Sequence, residues 1–226
     1  MSRQPSSPTR LPSVAGGTRS SDAGVFLREF VRAPLRTASV VPSSPALARR
    51  MIVPLLLSSQ APELPVVVEL GPGTGSFTAA LRAAVPEMRY LGVELNGAMA
   101  DHLSSRFPGI DLLRGPASSL SRALAERGLP AVDLVISGLP WQAFAGQAGT
   151  ELISNIAAHL APSGAYTQFT YSWTRWAPPG RRQHRELQRF FGRVDVSATA
   201  WPNLPPAVVY TATEPLMSGA RTTDDR

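Results

Sequence analysis

Five consecutive positions, Val66-Val67-Val68-Glu69-Leu70, are apolar at all but one and run directly into Gly71-Pro72-Gly73-Thr74-Gly75. A second apolar run, Tyr90-Leu91-Gly92-Val93, ends on the acid Glu94, nineteen residues past Gly75. Short unbroken apolar runs bounded by turn residues mark strands buried on both faces. The pattern therefore predicts a parallel strand, a glycine-rich turn onto a helix, and a second strand with a carboxylate at its tip. The same switching of period continues along the chain. Ala23 to Arg32 places Phe26, Leu27, Phe30 and Val31 on one side of a helix. Pro45 to Leu57 predicts another, capped by Ser43 or Ser44 ahead of Pro45. The glycine turn opens a helix to about Val85, Gly97 to Phe107 makes the next, and Asp111 to Leu113 is a short third strand. Val132 to Ser137 is the fourth strand and delivers Gly138-Leu139-Pro140-Trp141 at its carboxyl end, the edge where open parallel sheets bind ligands. Glu151 to Leu160 predicts a helix stopped by Pro162 and Gly164, and Ala165 to Tyr171 a strand. Phe190 to Thr199 and Ala207 to Thr213 form the last strand pair. The chain shows no internal repeat.

This alternation predicts an α/β fold, doubly wound around a mostly parallel seven-stranded sheet, with an N-terminal helical segment. One domain is expected over residues 23–216. Residues 1–22, with Pro5, Pro8, Pro12, many serines and Gly16-Gly17, are too poor in apolar surface to order themselves and are expected to form a disordered arm. Residues 217–226 are expected to be a polar tail.

A chain of 226 residues is long enough for one domain with a sizeable core. Cysteine is absent, which excludes a disulfide framework or a thiolate metal site. No metal is expected. No apolar stretch approaches the roughly 20 residues of a membrane span, and no basic segment followed by an apolar one opens the chain, so a cytoplasmic location is expected. The net charge is +6, and with no lysine present all 22 basic residues are arginine. Arginine grips phosphates with a planar fork, so the balance favours a polyanionic partner, nucleic acid or an anionic membrane face. A coding bias toward Arg, Ala and Pro would by itself explain the missing lysine. Charge narrows the partner class without choosing.

The chemistry concentrates at the glycine turn. Glycines are needed where a ligand approaches the backbone closely enough for any Cβ to collide. An acid at the second strand tip suits two ribose hydroxyls. Dinucleotide sites share such a turn, so glycines alone discriminate poorly. Glu69, an acid two residues before the first glycine, favours a ligand with a cationic amino-acid end over a pyrophosphate. S-adenosylmethionine is such a ligand. On this basis Gly73→Val is expected to abolish binding by placing a branched side chain against it.

Together, Glu69-Leu70-Gly71-Pro72-Gly73-Thr74-Gly75, Glu94 and Ser137-Gly138-Leu139-Pro140 resemble the signature blocks of class I S-adenosylmethionine-dependent methyltransferases, a Rossmann-like family. More narrowly, the chain resembles bacterial phospholipid N-methyltransferases, relatives of the rRNA adenine dimethylases. That resemblance rests on Val41-Pro42-Ser43-Ser44, Arg106-Phe107-Pro108, Gln168-Phe169-Thr170-Tyr171 and the run from Trp201 to Tyr210. It implies stepwise methyl transfer to the amine of phosphatidylethanolamine, with S-adenosylhomocysteine as the spent cofactor. It implies cofactor contacts from Ser43, Glu69, Gly71, Gly73, Thr74, Gly75, Glu94, Leu95, Ala117, Ser118, Ser137 and Leu139. Glu69 and the glycines would surround the methionine end, Glu94 would hold the ribose, and Ser137 to Leu139 would face the sulfonium. Tyr171, Ser137 and Gly138 are the catalytic candidates; Tyr171, at a strand's carboxyl end, is expected to orient the amine, with a buried strand tyrosine as the alternative.

Two departures from the family pattern carry information. Many members place an acid after the glycine of a Gly-Asp-Ala block, where it accepts the adenine amino group. Here the block is Gly115-Pro116-Ala117, so adenine is left to apolar contact and backbone, or to Ser118. A hydrogen bond lost in this way is worth roughly 1 kcal/mol, which weakens cofactor binding without abolishing it. Adenine-N6 methylases carry Asn or Asp where this chain has Gly138, which favours an aliphatic amine over a base. Trp141 could stack on a base, pack simply, or wall a methylated ammonium through cation–π attraction. None of His102, His159 and His184 falls in a signature block.

Arg181, Arg182, Arg185 and Arg189 form a basic stripe beside Leu187, Phe190 and Phe191, just after Trp173 and Trp176. Arginines next to tryptophans suit a protein resting on the anionic inner face of a membrane; a core helix with solvated arginines is the plainer alternative. An amine-bearing phospholipid is thus the expected partner, with no nucleic acid expected. A soluble amine, hydroxyl or carboxylate acceptor is the second possibility, and RNA the third.

Overall fold

The computed structural model describes residues 43–129, 131–141 and 146–216. The expected arm, the helix over Ala23–Arg32 and the polar tail at 217–226 lie outside the described residues, as do Val41 and Pro42. Within them run α1 (Pro45–Leu57), β1 (Val66–Leu70), α2 (Ser76–Ala84), β2 (Arg89–Glu94), α3 (Gly97–Arg106) and β3 (Leu112–Arg114). There follow α4 (Leu120–Glu126), β4 (Val132–Ser137), α5 (Gln147–His159), β5 (Leu160–Tyr171), α6 (Pro178–Phe190), β6 (Phe191–Val196) and β7 (Ala207–Pro215).

The seven strands form one sheet in the order β3-β2-β1-β4-β5-β7-β6. The first five run parallel, and β7 then pairs antiparallel with both β5 and β6. Strand order reverses between β1 and β4, so the loops after these two strands meet at the carboxyl edge of the sheet, which places ligands there.

Alternation along each strand sorts the core into two layers. Val66, Val68 and Leu70 of β1 pack with Leu120 and Leu124 of α4, Ile153 and Ile156 of α5, and Leu187 of α6. Val67 faces the other layer, with Leu47, Met51 and Ile52 of α1 and Phe77 and Leu81 of α2. Glu69 shares the parity of Val67 and is turned toward α2. All five β1 residues, Glu69 among them, are buried, as expected of a central strand in a doubly covered sheet.

Three elements differ from the sequence expectation. Helix α4 fills a stretch to which the pattern assigned nothing; it has only seven residues and no side-chain cap, but Leu120, Ala123 and Leu124 mark its buried face. Helix α5 begins at Gln147 rather than Glu151, after Gly146 at φ 97°. Its end at His159 leads straight into β5, whose register slips between the Val132–Leu160 and Leu134–Ala165 pairs. Pro162 and Gly164 are absorbed in that irregularity. Gly164 is needed there, because a Cβ would stand 2.7 Å from the Val132 carbonyl oxygen.

Candidate active site

After β1 the chain turns through Gly71, Gly73 and Gly75, at φ of 68°, 54° and 80°, in the left-handed region that favours glycine. Their surroundings differ. A Cβ on Gly71 would lie 2.9 Å from Leu139 Cδ2, and one on Gly75 would lie 2.7 Å from both Leu103 Cδ1 and Phe107 Cε2. A Cβ on Gly73 would meet only the Gly71 carbonyl oxygen, at 4.0 Å. Two of these glycines are therefore required by protein packing. The third borders space that a ligand can occupy.

Glu94 closes the turn from the side. Its Oε2 accepts the Gly73 N–H at 3.0 Å and its Oε1 accepts the Asn96 N–H at 2.8 Å. Each oxygen keeps further acceptor capacity, enough for a pair of hydroxyls. Burial raises its pKa, and the backbone amides pull it back.

Glu69 is fully buried. Its Oε2 accepts from Thr78 Oγ1 at 2.7 Å and from the Tyr90 hydroxyl at 2.8 Å, while Oε1 has no hydrogen-bond partner among the described residues. Burial raises its pKa to about 7, against the lowering effect of Thr78 and Tyr90. A buried carboxylate with one oxygen unspent is costly by itself. It is also well suited to receive an ammonium group.

The β4 tip abuts this turn. The Gly138 N–H donates to the Leu70 carbonyl at 2.8 Å, and a Cβ on Gly138 would stand 2.5 Å from the Gly71 carbonyl oxygen. Ser137 departs from its expected role. Its side chain is fully buried, and its Oγ accepts the Trp141 indole N–H at 2.8 Å and the Leu139 N–H at 3.3 Å. Inward orientation along the strand fixes this, so the hydroxyl braces Trp141 and only backbone is left to face a ligand. Trp141 in turn meets Tyr166 edge-on at 6.0 Å, and the Tyr166 hydroxyl donates to Gln168 Oε1 at 2.8 Å.

The remaining expected residues fall around the same edge. Thr74 is half-buried, and its carbonyl accepts from Arg106 Nη1 at 2.5 Å. Leu95 is exposed just past Glu94. The Gly115 N–H donates to the Glu94 carbonyl at 2.9 Å, which carries the following turn to the site; Ala117 there is buried in the core and Ser118 is exposed. Tyr171 ends β5 half-buried, stacked on Trp173 at 5.2 Å and edge-on to Phe169 at 6.2 Å. Burial raises its pKa, so at neutral pH its phenol is a hydrogen-bond donor and not a base. Ser43 is the least integrated. The cap on α1 is its neighbour Ser44, whose Oγ accepts the Leu47 N–H at 3.2 Å and whose own N–H donates to Asn203 Oδ1 at 2.9 Å. Among the described residues no hydrogen bond ties Ser43 to the glycine turn.

Thr78, Tyr90 and Asn96 were not foreseen as part of the site. The available signal was a hydroxyl in the apolar face of α2, another on a buried strand, and an Asx cap directly after the strand-tip acid. The histidines stand apart: His102 is exposed, His159 bonds the Asn155 carbonyl, and His184 packs edge-on to Tyr210. On the α5–α6 side of Trp141 lies a cavity of about 400 Å³, lined in part by Thr150, Ile153, Pro178, Arg182 and Gln183.

Known proteins resemble this chain in sequence and in fold. A family described as "Methyltransferase domain" matches residues 67–164. An ornithine lipid N-methyltransferase of Singulisphaera acidiphila is 33% identical over 195 residues, covering 84% of this chain and 94% of that relative. The chain belongs to the class I S-adenosylmethionine-dependent methyltransferases. Solved structures agree on the fold. A TehB-like SAM-dependent methyltransferase from Corynebacterium glutamicum superposes with TM-score 0.53 at 15% identity, covering 86% of this chain and 98% of that one. Human methyltransferase-like protein 13 in complex with SAH gives TM-score 0.56 at 16% identity, covering 80% and 86%.

This methyltransferase uses S-adenosylmethionine, and its carboxyl edge fits the molecule chemically. The unspent Glu69 oxygen matches an ammonium, the Glu94 oxygens match ribose hydroxyls, and the space beside Gly73 admits a ligand against the backbone. The cofactor supplies an electrophilic methyl on a sulfonium. For such a displacement the protein contributes alignment and exclusion of water.

Proposed function

We propose that this methyltransferase transfers methyl groups to the primary amine of a membrane lipid, with phosphatidylethanolamine-type headgroups as the first class to test. In this reading Glu69 receives the methionine ammonium of the cofactor, Glu94 the ribose, and the backbone of Gly71, Gly73 and Ser137–Leu139 lines the sulfonium. Ala117 and Ser118 flank adenine, and the Tyr171 hydroxyl orients the acceptor nitrogen. The observation that carries the acceptor class is the match along nearly the full length to an enzyme of lipid amine methylation. The geometry adds that the β4 tip has no room for a side chain that would accept from a nucleobase amino group, since Gly138 is pressed against the Gly71 carbonyl.

The test is direct. Purified protein with methyl-labelled cofactor is offered phosphatidylethanolamine vesicles, ornithine-lipid vesicles, free ethanolamine and total RNA. Label is expected in an amine lipid. Label confined to the soluble amine or to RNA would remove the lipid assignment.

A further inference from the structure

The same carboxyl edge carries a group of exposed apolar side chains outside the site described above. Trp176, Trp201 and Leu204 are 67%, 73% and 67% exposed, and Trp173 is 59% exposed. They sit on two loops, one after β5 and one between β6 and β7. The loops are held side by side: the Ser172 N–H donates to the Pro206 carbonyl at 2.8 Å, Tyr171 pairs with Ala207, and Ala200 bridges to Ala207. Asn203 stiffens the second loop, its Nδ2 donating to the Pro205 carbonyl at 2.8 Å while its Oδ1 accepts from Ser44. Large indoles on braced loops, left in water, mark an interaction surface.

The charges beside them say what kind. The Arg175 guanidinium lies 4.3 Å from the centre of the Trp176 ring. Arg181, Arg182 and Arg185 are exposed on the adjoining helix α6, and among the described residues none of the three pairs with a carboxylate. Indoles prefer the headgroup level of a bilayer, and unpaired arginines next to them are attracted to anionic lipid. From this juxtaposition we infer that Trp176, Trp201 and Leu204 form a rim that inserts at the surface of an anionic bilayer. It sets the carboxyl edge of the sheet down on the membrane so that a headgroup amine reaches the site without leaving it. The inference rests on the lipid-amine proposal for its purpose, though not for its observations.

The test compares the native protein with a W176A/W201A/L204A variant. Trp173 is left in place because it stacks on Tyr171. Vesicles of phosphatidylethanolamine and phosphatidylglycerol serve as the surface, and a short-chain phosphatidylethanolamine, dispersed as monomers, serves as an acceptor that needs no surface. The variant is expected to lose vesicle binding by at least about tenfold and vesicle turnover with it. Turnover of the monomeric lipid and calorimetric affinity for S-adenosylhomocysteine should be kept. A second variant, W201E/L204E, alters one loop only and serves should the triple variant fail to fold. Native-like vesicle binding by a folded variant would overturn the rim. A native protein that methylates lipid in neither form would defeat the acceptor proposal, and vesicle binding alone then judges the rim. Native protein that ignores vesicles but forms dimers that the variant dissolves would mark the rim as a contact between two copies, and overturn it too.

Discussion

At the scale of single residues, Glu69 is the most consequential side chain, because its chemistry and its stability effect share a cause. Its carboxyl, with a folded pKa of about 7 against an ordinary value of 4.5, holds its proton more tightly in the folded protein. The folded state therefore binds more protons between these values, and the stabilisation, fully present below pH 4.5, is lost as the pH rises through 7. The difference amounts to about 3 kcal/mol. Denaturant titrations of the cofactor-free protein should show stability falling across that window, and Glu69→Gln should flatten the slope. An ammonium docked on Oε1 would pull the pKa down. Calorimetry near pH 6.5 in buffers of different ionisation enthalpy is then expected to detect proton release on cofactor binding, absent in the Gln variant. Gly73 gives a second contrast. Gly73→Val joins ligand collision to backbone strain at φ 54°, whereas Gly73→Ala adds only a methyl in open space. The Ala variant should lose about 1 kcal/mol of stability yet a larger share of cofactor affinity, read by melting and calorimetry together.

The elements of the sheet were legible wherever burial dictated the residue types. β1 and β4 are mostly apolar runs because helices cover both faces, and the observed Val66–Leu70 and Val132–Ser137 match the pattern residue for residue. Helix α4 was not legible: seven residues leave too few turns for a period to emerge, and no cap announces them. The inward turn of Ser137 was equally hidden, because a strand-tip serine reads the same whether its hydroxyl meets ligand or indole; the partner that decides it, Trp141, acts only through the fold. Helix α1 shows the opposite case. Ser44 and Pro45 signal its start, and the structure adds a tie from Ser44 to Asn203 that no local pattern contains. Ser44→Ala should cost about 1 kcal/mol through loss of the cap, a fall of roughly 2–4 °C in Tm for a domain of this size. Cofactor affinity should be unchanged in calorimetry, since α1 lies outside the glycine turn.

At the scale of the whole molecule, the glycine turn, Glu94 and the β4 tip meet at one edge of the sheet, and Arg181, Arg182 and Arg185 are exposed on α6, which follows the loop after β5. No described helix is long and apolar enough to cross a membrane, and the rim proposed above would hold a bilayer from its surface. Attraction by arginines is screened over roughly 8–10 Å at physiological salt, whereas insertion of indoles is not. Binding to anionic vesicles should accordingly weaken with salt toward a plateau, and replacing Arg181, Arg182 and Arg185 by Gln should lower it at low salt only, as measured by co-sedimentation. One contact also constrains what this scaffold can become. Since Gly138 rests against the backbone of Gly71, not against a movable side chain, no substitution of Gly138 alone can add an acceptor for nucleobases at that position. The glycine turn would have to shift first, and that shift disturbs the cofactor loop before any benefit exists. A side-chain acceptor at this position is thus reached only by a step that must be taken backwards before it can be taken forwards.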